Sequence, residues 1–379
     1  MIEIGGADRA TQPVSRPRFS QPRVAIVHYW LVAMRGGERV IEQLLDLYPG
    51  ADLFTHVIAP DRMSPKIRAA KVTTSFINRL PMSQRLYQYY LPLMPMALEE
   101  FDLSDYDLVI SSEAGPAKGV ITRPGSLHVC YCHSPMRYIW DHYHQYKGEA
   151  NLLARAVMPA MYHRLRQWDF SSSARVDRFA ANSNFVKQRI QKVWRRDAEV
   201  IHPPVETNLF TPSVDTGDFY LWVGQLVPYK RPDIAVDAFT ANGLPLVVVG
   251  AGGMAARLRK KAGPNVTFIE RMYFNQLRQA YARCKALIMT AEEDFGITPV
   301  EAMASGRPVI AYGRGGALDS VVDGRTGLFF HEQSAEALAE AVERLERFLP
   351  DFDPAASIAQ ARHFAPDQFA EKMRALTLI

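Results

Sequence analysis

Two carboxylates, Glu293 and Glu301, stand within EEDFGITPVEAMASGRPVIA, a stretch that leaves one short apolar run at Ala286–Met289 and enters another at Val309–Ile310. Thr298, Pro299 and Glu301 carry a helix-start signature: Thr as cap, Pro in the first helical position, an acid three residues past the cap. That reading accounts for Glu301 and leaves Glu293 and the intervening Asp-Phe-Gly-Ile without a role. Gly296 lets the backbone approach another group closely, and a helix start offers free N–H groups and the positive end of a dipole. An anion fits there, beside a carboxylate able to accept hydrogen bonds from sugar hydroxyls. Upstream, VGQLVPYKRPD places Lys230 and Arg231 just beyond a predicted strand. Two cations there would meet the negative charge that grows on a departing diphosphate; taken alone, the pair is equally a solvated loop.

Other constellations are weaker. Gly250-x-Gly252-x-x-Ala255 follows a predicted strand, and Glu270 ends the next one about 20 residues on, the letters of a dinucleotide fingerprint. An NAD-dependent oxidoreductase is therefore an alternative. Against it, these glycines belong to the second strand–helix unit of their domain, and the fingerprint gives Lys230, Glu293 and Glu301 no shared role. Asp105-Tyr106-Asp107 spells D-x-D but precedes an apolar strand, which argues against a metal site. Cys130 and Cys132 in HVCYCHS lack a second ligand pair and read as buried strand thiols. Arg257–Lys261 reads as a solvated helix face.

The elements that must position these groups alternate along the chain. In the first half RVAIVHYW, DLFTHVI, YDLVISS, LHVCYCH and VDRFAANS read as strands, with helical spacing in RGGERVIEQLLDLYP and Asn151–Phe170. In the second half the strands are YLWVG, PLVVVG, NVTFI, KALIMT, PVIAY and TGLFF, separated by helical stretches. Short runs buried on both faces imply parallel sheets covered by helices. With 379 residues, too many for most single cores, the expected architecture is α/β, two doubly wound Rossmann-like domains facing a central cleft. The divisions are a flexible leader over 1–22, an N-terminal domain over 23–205 and a C-terminal domain over 206–350. A helical segment over 351–379 follows, its return to the N-terminal domain left open.

Composition sets the class. Hydrophobic residues make up 48% and charged residues 22%, ordinary for a soluble globular chain. The net charge of +4 is too mild to argue for nucleic acid, and three cysteines suit a reducing, cytoplasmic setting. No run reaches about 18 apolar residues, so a membrane span is not expected. Phe76–Phe101, rich in Leu, Met and Tyr and broken by prolines, has two open readings: a core helix flanked by loops, or a surface meeting a lipid interface.

Taken together, the Glu-x7-Glu block, VGQLVPYKR, GGALDSVVDGRTGLFF, HYWLVAMRGGERV, YDLVISS, CYCHSPMRYIWD and ANSNFVKQRI resemble the retaining GT-B glycosyltransferases of family 4, from about Arg23 onward. The N-terminal stretches are similar to a subgroup of mannosyltransferases that build O-antigen and exopolysaccharide units on lipid carriers. The resemblance implies that Glu301 binds ribose hydroxyls and Glu293 the hydroxyls of the donor sugar. Backbone amides of Phe295, Gly296 and Ile297, next to Thr298, would support sugar and phosphate. Lys230, helped by Arg231, would neutralise the diphosphate, and Gly36 and Gly37 would admit it from the opposite wall. His133 would face the sugar, and Met272, within Glu270–Tyr273, would lie near the base. Two positions depart from the pattern: Gln225 stands where Arg is common, and Asp319 where Glu is common. The implied reaction is a front-face transfer without a protein base, metal or other cofactor. The expected donor is GDP-mannose, with a UDP-sugar as the alternative. The expected acceptor is a polyprenyl-diphosphate-linked oligosaccharide, with peripheral contact on the inner membrane face through 76–101. A non-catalytic sugar-nucleotide-binding module is the remaining alternative.

Overall fold

The computed structural model describes residues 22–378. The expected leader over 1–22 lies outside the described residues apart from Pro22. Each apolar run named above forms a strand, and all described pairings are parallel. The N-terminal sheet comprises β1 (Val24–His28), β2 (Asp52–Thr55), β3 (Val72–Thr74), β4 (Leu108–Glu113), β5 (Leu127–Cys132), β6 (Arg178–Ala181) and β7 (Glu199–Val200), in the order β3-β2-β1-β4-β5-β6-β7. The C-terminal sheet comprises β8 (Tyr220–Val223), β9 (Leu246–Val249), β10 (Val266–Ile269), β11 (Leu287–Met289), β12 (Val309–Tyr312) and β13 (Gly327–Phe330), in the order β10-β9-β8-β11-β12-β13. Strand order reverses between β1 and β4 and again between β8 and β11, and ligands of open α/β sheets bind at such points, past the strand ends. The loops leaving β1, β8 and β11 therefore come to the cleft.

Helices cover both faces of each sheet. Gly36–Leu47 turns Val40, Ile41 and Leu44 onto Ile26, Leu53 and Ile110, while Pro232–Asn242 and Ala335–Phe348 seal one face of the second sheet. The last two helices part company. Pro354–Arg362 stays against the C-terminal domain through Ala361, whereas Pro366–Leu376 sends Phe369, Met373 and Leu376 into the N-terminal core.

Phe76–Phe101 does not form one core helix. Pro81, Pro92 and Pro95 divide it into four short turns, Phe76–Arg79, Ser83–Leu86, Tyr87–Leu93 and Met94–Glu99. Ile77, Leu91, Met94 and Ala97 are buried, and Met82, Tyr89 and Met96 are left exposed.

The fingerprint glycines have a packing reason. Gly250 has φ of 147°, and a Cβ there would lie 1.8 Å from the Gly224 carbonyl oxygen; at Gly252 a Cβ would lie 2.3 Å from that of Leu226. They let the β9 loop press against the loop that carries Lys230. Gly250→Ala should accordingly destabilise the protein by about 3 kcal/mol or more, read as a fall in the urea midpoint.

Candidate functional site

Between the two domains lies a cavity of about 340 Å³, walled by Gly36, Gly37, His133 and Asn182 from one side and by Lys230, Glu293, Phe295, Gly296, Ile297 and Thr298 from the other. The loop after β8 makes a turn at Pro228–Lys230, and Thr290, at the end of β11, donates its hydroxyl to the Lys230 carbonyl at 2.9 Å. The Trp222 indole N–H in turn donates to Thr290 Oγ1 at 3.1 Å. Two neighbouring strand ends are thus tied together, and Lys230 Nζ meets Glu293 Oε1 at 2.7 Å, each side chain 22% exposed. Burial pulls the Lys230 pKa down, and the Glu293 charge more than offsets it, leaving the pKa raised and the ammonium charged. The Glu293 carbonyl accepts the Gly316 N–H at 2.9 Å, which fixes the loop from below.

The helix after this loop begins earlier than the Thr-Pro signature implies. Gly296, at φ 86°, is the cap, and Ile297–Ala304 is the helix. Thr298 and Pro299 fall inside the first turn, where backbone N–H groups have no intrahelical acceptor and proline is tolerated. Glu301 is consequently not a capping residue. It is buried, 8% exposed, and accepts the Tyr281 hydroxyl at 2.8 Å; burial raises its pKa, with the Tyr281 hydrogen bond and Arg39 opposing. It does not line the cavity.

Two further expected residues are elsewhere. Arg231 turns onto Asp233, its Nε and Nη2 donating at 3.1–3.2 Å, and does not line the cavity beside Lys230. Met272 packs against the apolar cluster that holds Met289 and Phe295, and does not itself line the cavity. Asp105 and Asp107 hold Arg23 and Arg123 at the start of β4, and among the described residues no group of three or more His, Cys, Asp or Glu is placed to hold a metal.

On the opposite wall, Gly36 and Gly37 open a helix, and the Gly36 Cα lies where a Cβ would be 3.0 Å from Ile297 Cδ1, so the two domains nearly touch across the cavity mouth. His133 continues from β5. Its Nε2 lies 2.8 Å from Ser112 Oγ, which lies 3.0 Å from His28 Nδ1. Burial, reinforced by His28, holds the His133 pKa down at about 3. His133 is therefore neutral across the physiological range, and its ring should show no NMR titration between about pH 5 and 8. A midpoint near 6.5 would contradict this environment. The sign for stability follows: the unfolded ring takes a proton below its ordinary value while the folded one does not, so this site loses stability as pH falls.

Several cleft residues carried no individual signal in the sequence. Asn182, on the wall, has a buried Oδ1 without a hydrogen-bond partner. Asp294 holds the domains together: Oδ1 accepts Arg189 Nη1 at 3.1 Å and Ser134 Oγ at 3.3 Å, Oδ2 lies 3.5 Å from Arg137 Nη1, and its carbonyl accepts the Ser183 hydroxyl at 2.5 Å. Asp319 makes a second bridge, accepting Asn184 N at 2.8 Å beside His202 Nε2 at 3.0 Å. The departure from Glu at 319 thus has a structural use.

Comparison with known proteins agrees with this architecture. The family model for glycosyltransferase family 4 matches residues 34–209, and that for glycosyl transferases group 1 matches 209–348. An uncharacterized glycosyltransferase of Methanocaldococcus jannaschii is 27% identical over 174 residues, 45% of this chain and 49% of its own. A GDP-mannose-dependent alpha-mannosyltransferase of Mycobacterium tuberculosis is 35% identical over 133 residues, 34% of this chain and 35% of its own. These matches span half or less of the curated relatives' length. Among solved structures, HepE of Anabaena in complex with UDP superposes with a TM-score of 0.68 at 16% identity, covering 93% of this chain and 98% of its own.

Proposed function

The chain belongs to the family 4, group 1 glycosyltransferases of GT-B fold, and from that premise we propose that it moves a hexose from a nucleotide sugar to a glycan acceptor with retention of configuration. The observation that carries the proposal is the Lys230–Glu293 pair at the cavity wall, opposite the helix start at Gly36–Gly37. In the proposed complex the diphosphate enters between them, and its negative charge draws Lys230 away from Glu293. The freed carboxylate accepts hydroxyls of the sugar. Backbone N–H groups of Phe295, Gly296 and Ile297, and the start of Gly36–Leu47, add donors that need no reorganisation as charge develops. The C1–O bond to the diphosphate breaks and a bond from the acceptor oxygen to C1 forms on the same face. The acceptor proton passes to a diphosphate oxygen. Neutral His133 and the unpaired Asn182 Oδ1 are suited to hydroxyls rather than to phosphate.

Mannose from GDP-mannose is the proposed donor, supported by the likeness to the mycobacterial mannosyltransferase. A UDP-sugar is the second reading, favoured by the backbone match to HepE, which was solved with UDP. The proposed acceptor is a polyprenyl-diphosphate-linked oligosaccharide in surface polysaccharide assembly. Among the described residues no helix is long and apolar enough to cross a membrane. The exposed Met82, Tyr89 and Met96 near Arg79 and Arg85 support peripheral contact with a lipid surface through 76–101, on the cytoplasmic face.

The test is a thermal shift with GDP, UDP and NADH, followed by release of nucleoside diphosphate from a panel of labelled donors with a membrane extract as acceptor. Stabilisation by GDP above UDP, and release only when extract is present, is the expected result. Stabilisation without release in any combination would leave a sugar-nucleotide-binding module instead.

A further inference from the structure

A second cavity, of about 230 Å³, lies on the other side of Glu293 and Asp294, and these two residues line both spaces. Its remaining wall includes Ser134, Arg137, Tyr138 and Tyr146 from the N-terminal domain and Tyr229 from the C-terminal domain. Building on the transferase reading above, we infer that this cavity receives an uncharged sugar ring of the acceptor, next to the carbon that is transferred.

Charge is the first argument. Around the shared wall three cations face three carboxylates, and each is already paired. Lys230 meets Glu293, Arg137 meets Asp294, and Arg189 meets both Asp294 and Asp141 at 2.8–3.1 Å. A guanidinium can only donate, so the 2.7 Å contact from Arg137 Nη2 requires His142 Nε2 to accept, and that nitrogen carries no proton. The positive charge on this wall is balanced by carboxylates, so a phosphate or carboxylate meets no uncompensated cation. An anionic acceptor would have to break a half-buried ion pair and would face Glu293 and Asp294 directly.

Shape and hydrogen bonding are the second. Tyr146 and Tyr229 are 45% and 40% exposed, and Tyr138 and Tyr146 pack edge to face at 6.4 Å between centroids. Aromatic rings beside polar tips suit a pyranose, whose C–H face is apolar and whose rim is hydroxylated. The Tyr138 hydroxyl and Arg137 Nε are buried without partners. One needs an acceptor and the other can take either role, and sugar hydroxyls supply both.

Saturation-transfer NMR on the full chain with saturating GDP or UDP tests this. The probes are the methyl α-glycosides of glucose, galactose and mannose, methyl glucuronide and myo-inositol 3-phosphate. At least one neutral glycoside should receive saturation and the two anions none. In Tyr146→Ala and Tyr138→Phe the signal should fall about fivefold or more, while the thermal shift with nucleotide stays unchanged. Tyr146 is exposed, so its variant tests the cavity without burdening the fold. Signal from an anion equal to that from the neutral sugars, no signal from any neutral glycoside, or undiminished signal in both variants would each overturn the inference. Because binding is read without turnover, failure here is distinct from failure of the transferase reading, which diphosphate release reports.

Discussion

Lys230→Ala is expected to lower kcat roughly 10³-fold, the scale seen when one preorganised donor to a developing oxyanion is removed. The reasoning rests on how little else on this wall is positive. Gln225 is uncharged and Arg231 is held by Asp233, so Lys230 is the cation of the C-terminal loops that lines the donor cavity. The expected effect on the free protein is small. The Lys230–Glu293 pair is partly exposed, and losing such a pair costs on the order of 1 kcal/mol, a few degrees in Tm. The two readouts therefore separate chemistry from folding. Lys230→Arg should recover only part of the rate, because a planar fork does not reproduce a compact ammonium seated on the Tyr229 ring at 5.8 Å. Single-turnover release of nucleoside diphosphate is the measurement. A Lys230→Ala protein within tenfold of the parent would remove the central assignment.

The features visible in the sequence are local ones. Strands buried on both faces appear as short apolar runs, which is why β1, β4 and β5 and the strands of the second sheet were legible. The edge strands of the first sheet were not: Val72–Thr74 and Glu199–Val200 are short and carry few apolar residues, with an edge exposed to water. Glu293 and Lys230 could be found because each sits in a compact loop motif whose composition is unusual. The helix start departs from its local signature because Thr298-Pro299 obeys a rule that a single glycine overrides. Gly296 reaches a positive φ without strain, so the helix can begin before the signature. Arg231 reads as a free cation only until Asp233, two residues on, is folded back against it. The ion pairs across the cleft have no periodicity at all: Asp294 and Arg189 are 105 residues apart. Such contacts are set by how two domains meet, and no window along the chain contains both partners.

The second large effect is expected at one of those contacts. Asp294→Ala removes the carboxylate that two arginines and Ser134 share, and with it the tie between the domains next to Glu293. Burial raises the Asp294 pKa, and Arg137 and Arg189 oppose it, so the ionised form depends on both arginines. The Asp294 carboxylate is as exposed as that of Glu293, at 22%, but two arginines and Ser134 depend on it rather than one lysine, so about 2–3 kcal/mol is expected here, as a lower urea midpoint. Activity should suffer separately. Asp294 adjoins Glu293, and its carbonyl is anchored by Ser183, so releasing the side chain lets the Glu293 loop drift; under the proposed function a misplacement of about 1 Å can cost roughly 100-fold in kcat. Asp294→Asn, able to accept from one arginine, should fall between parent and Ala in both readouts. Asp319→Ala supplies the comparison. It breaks the other bridge, to Asn184 and His202, and should lower stability while changing kcat less than tenfold, because it does not line the donor cavity. If the two alanine variants lose kcat equally, the effect belongs to domain docking in general. If Asp294→Ala keeps the parental kcat, the loop holds its geometry without help from the facing domain, and positioning of Glu293 must be assigned to its contacts with Gly316 and Lys230.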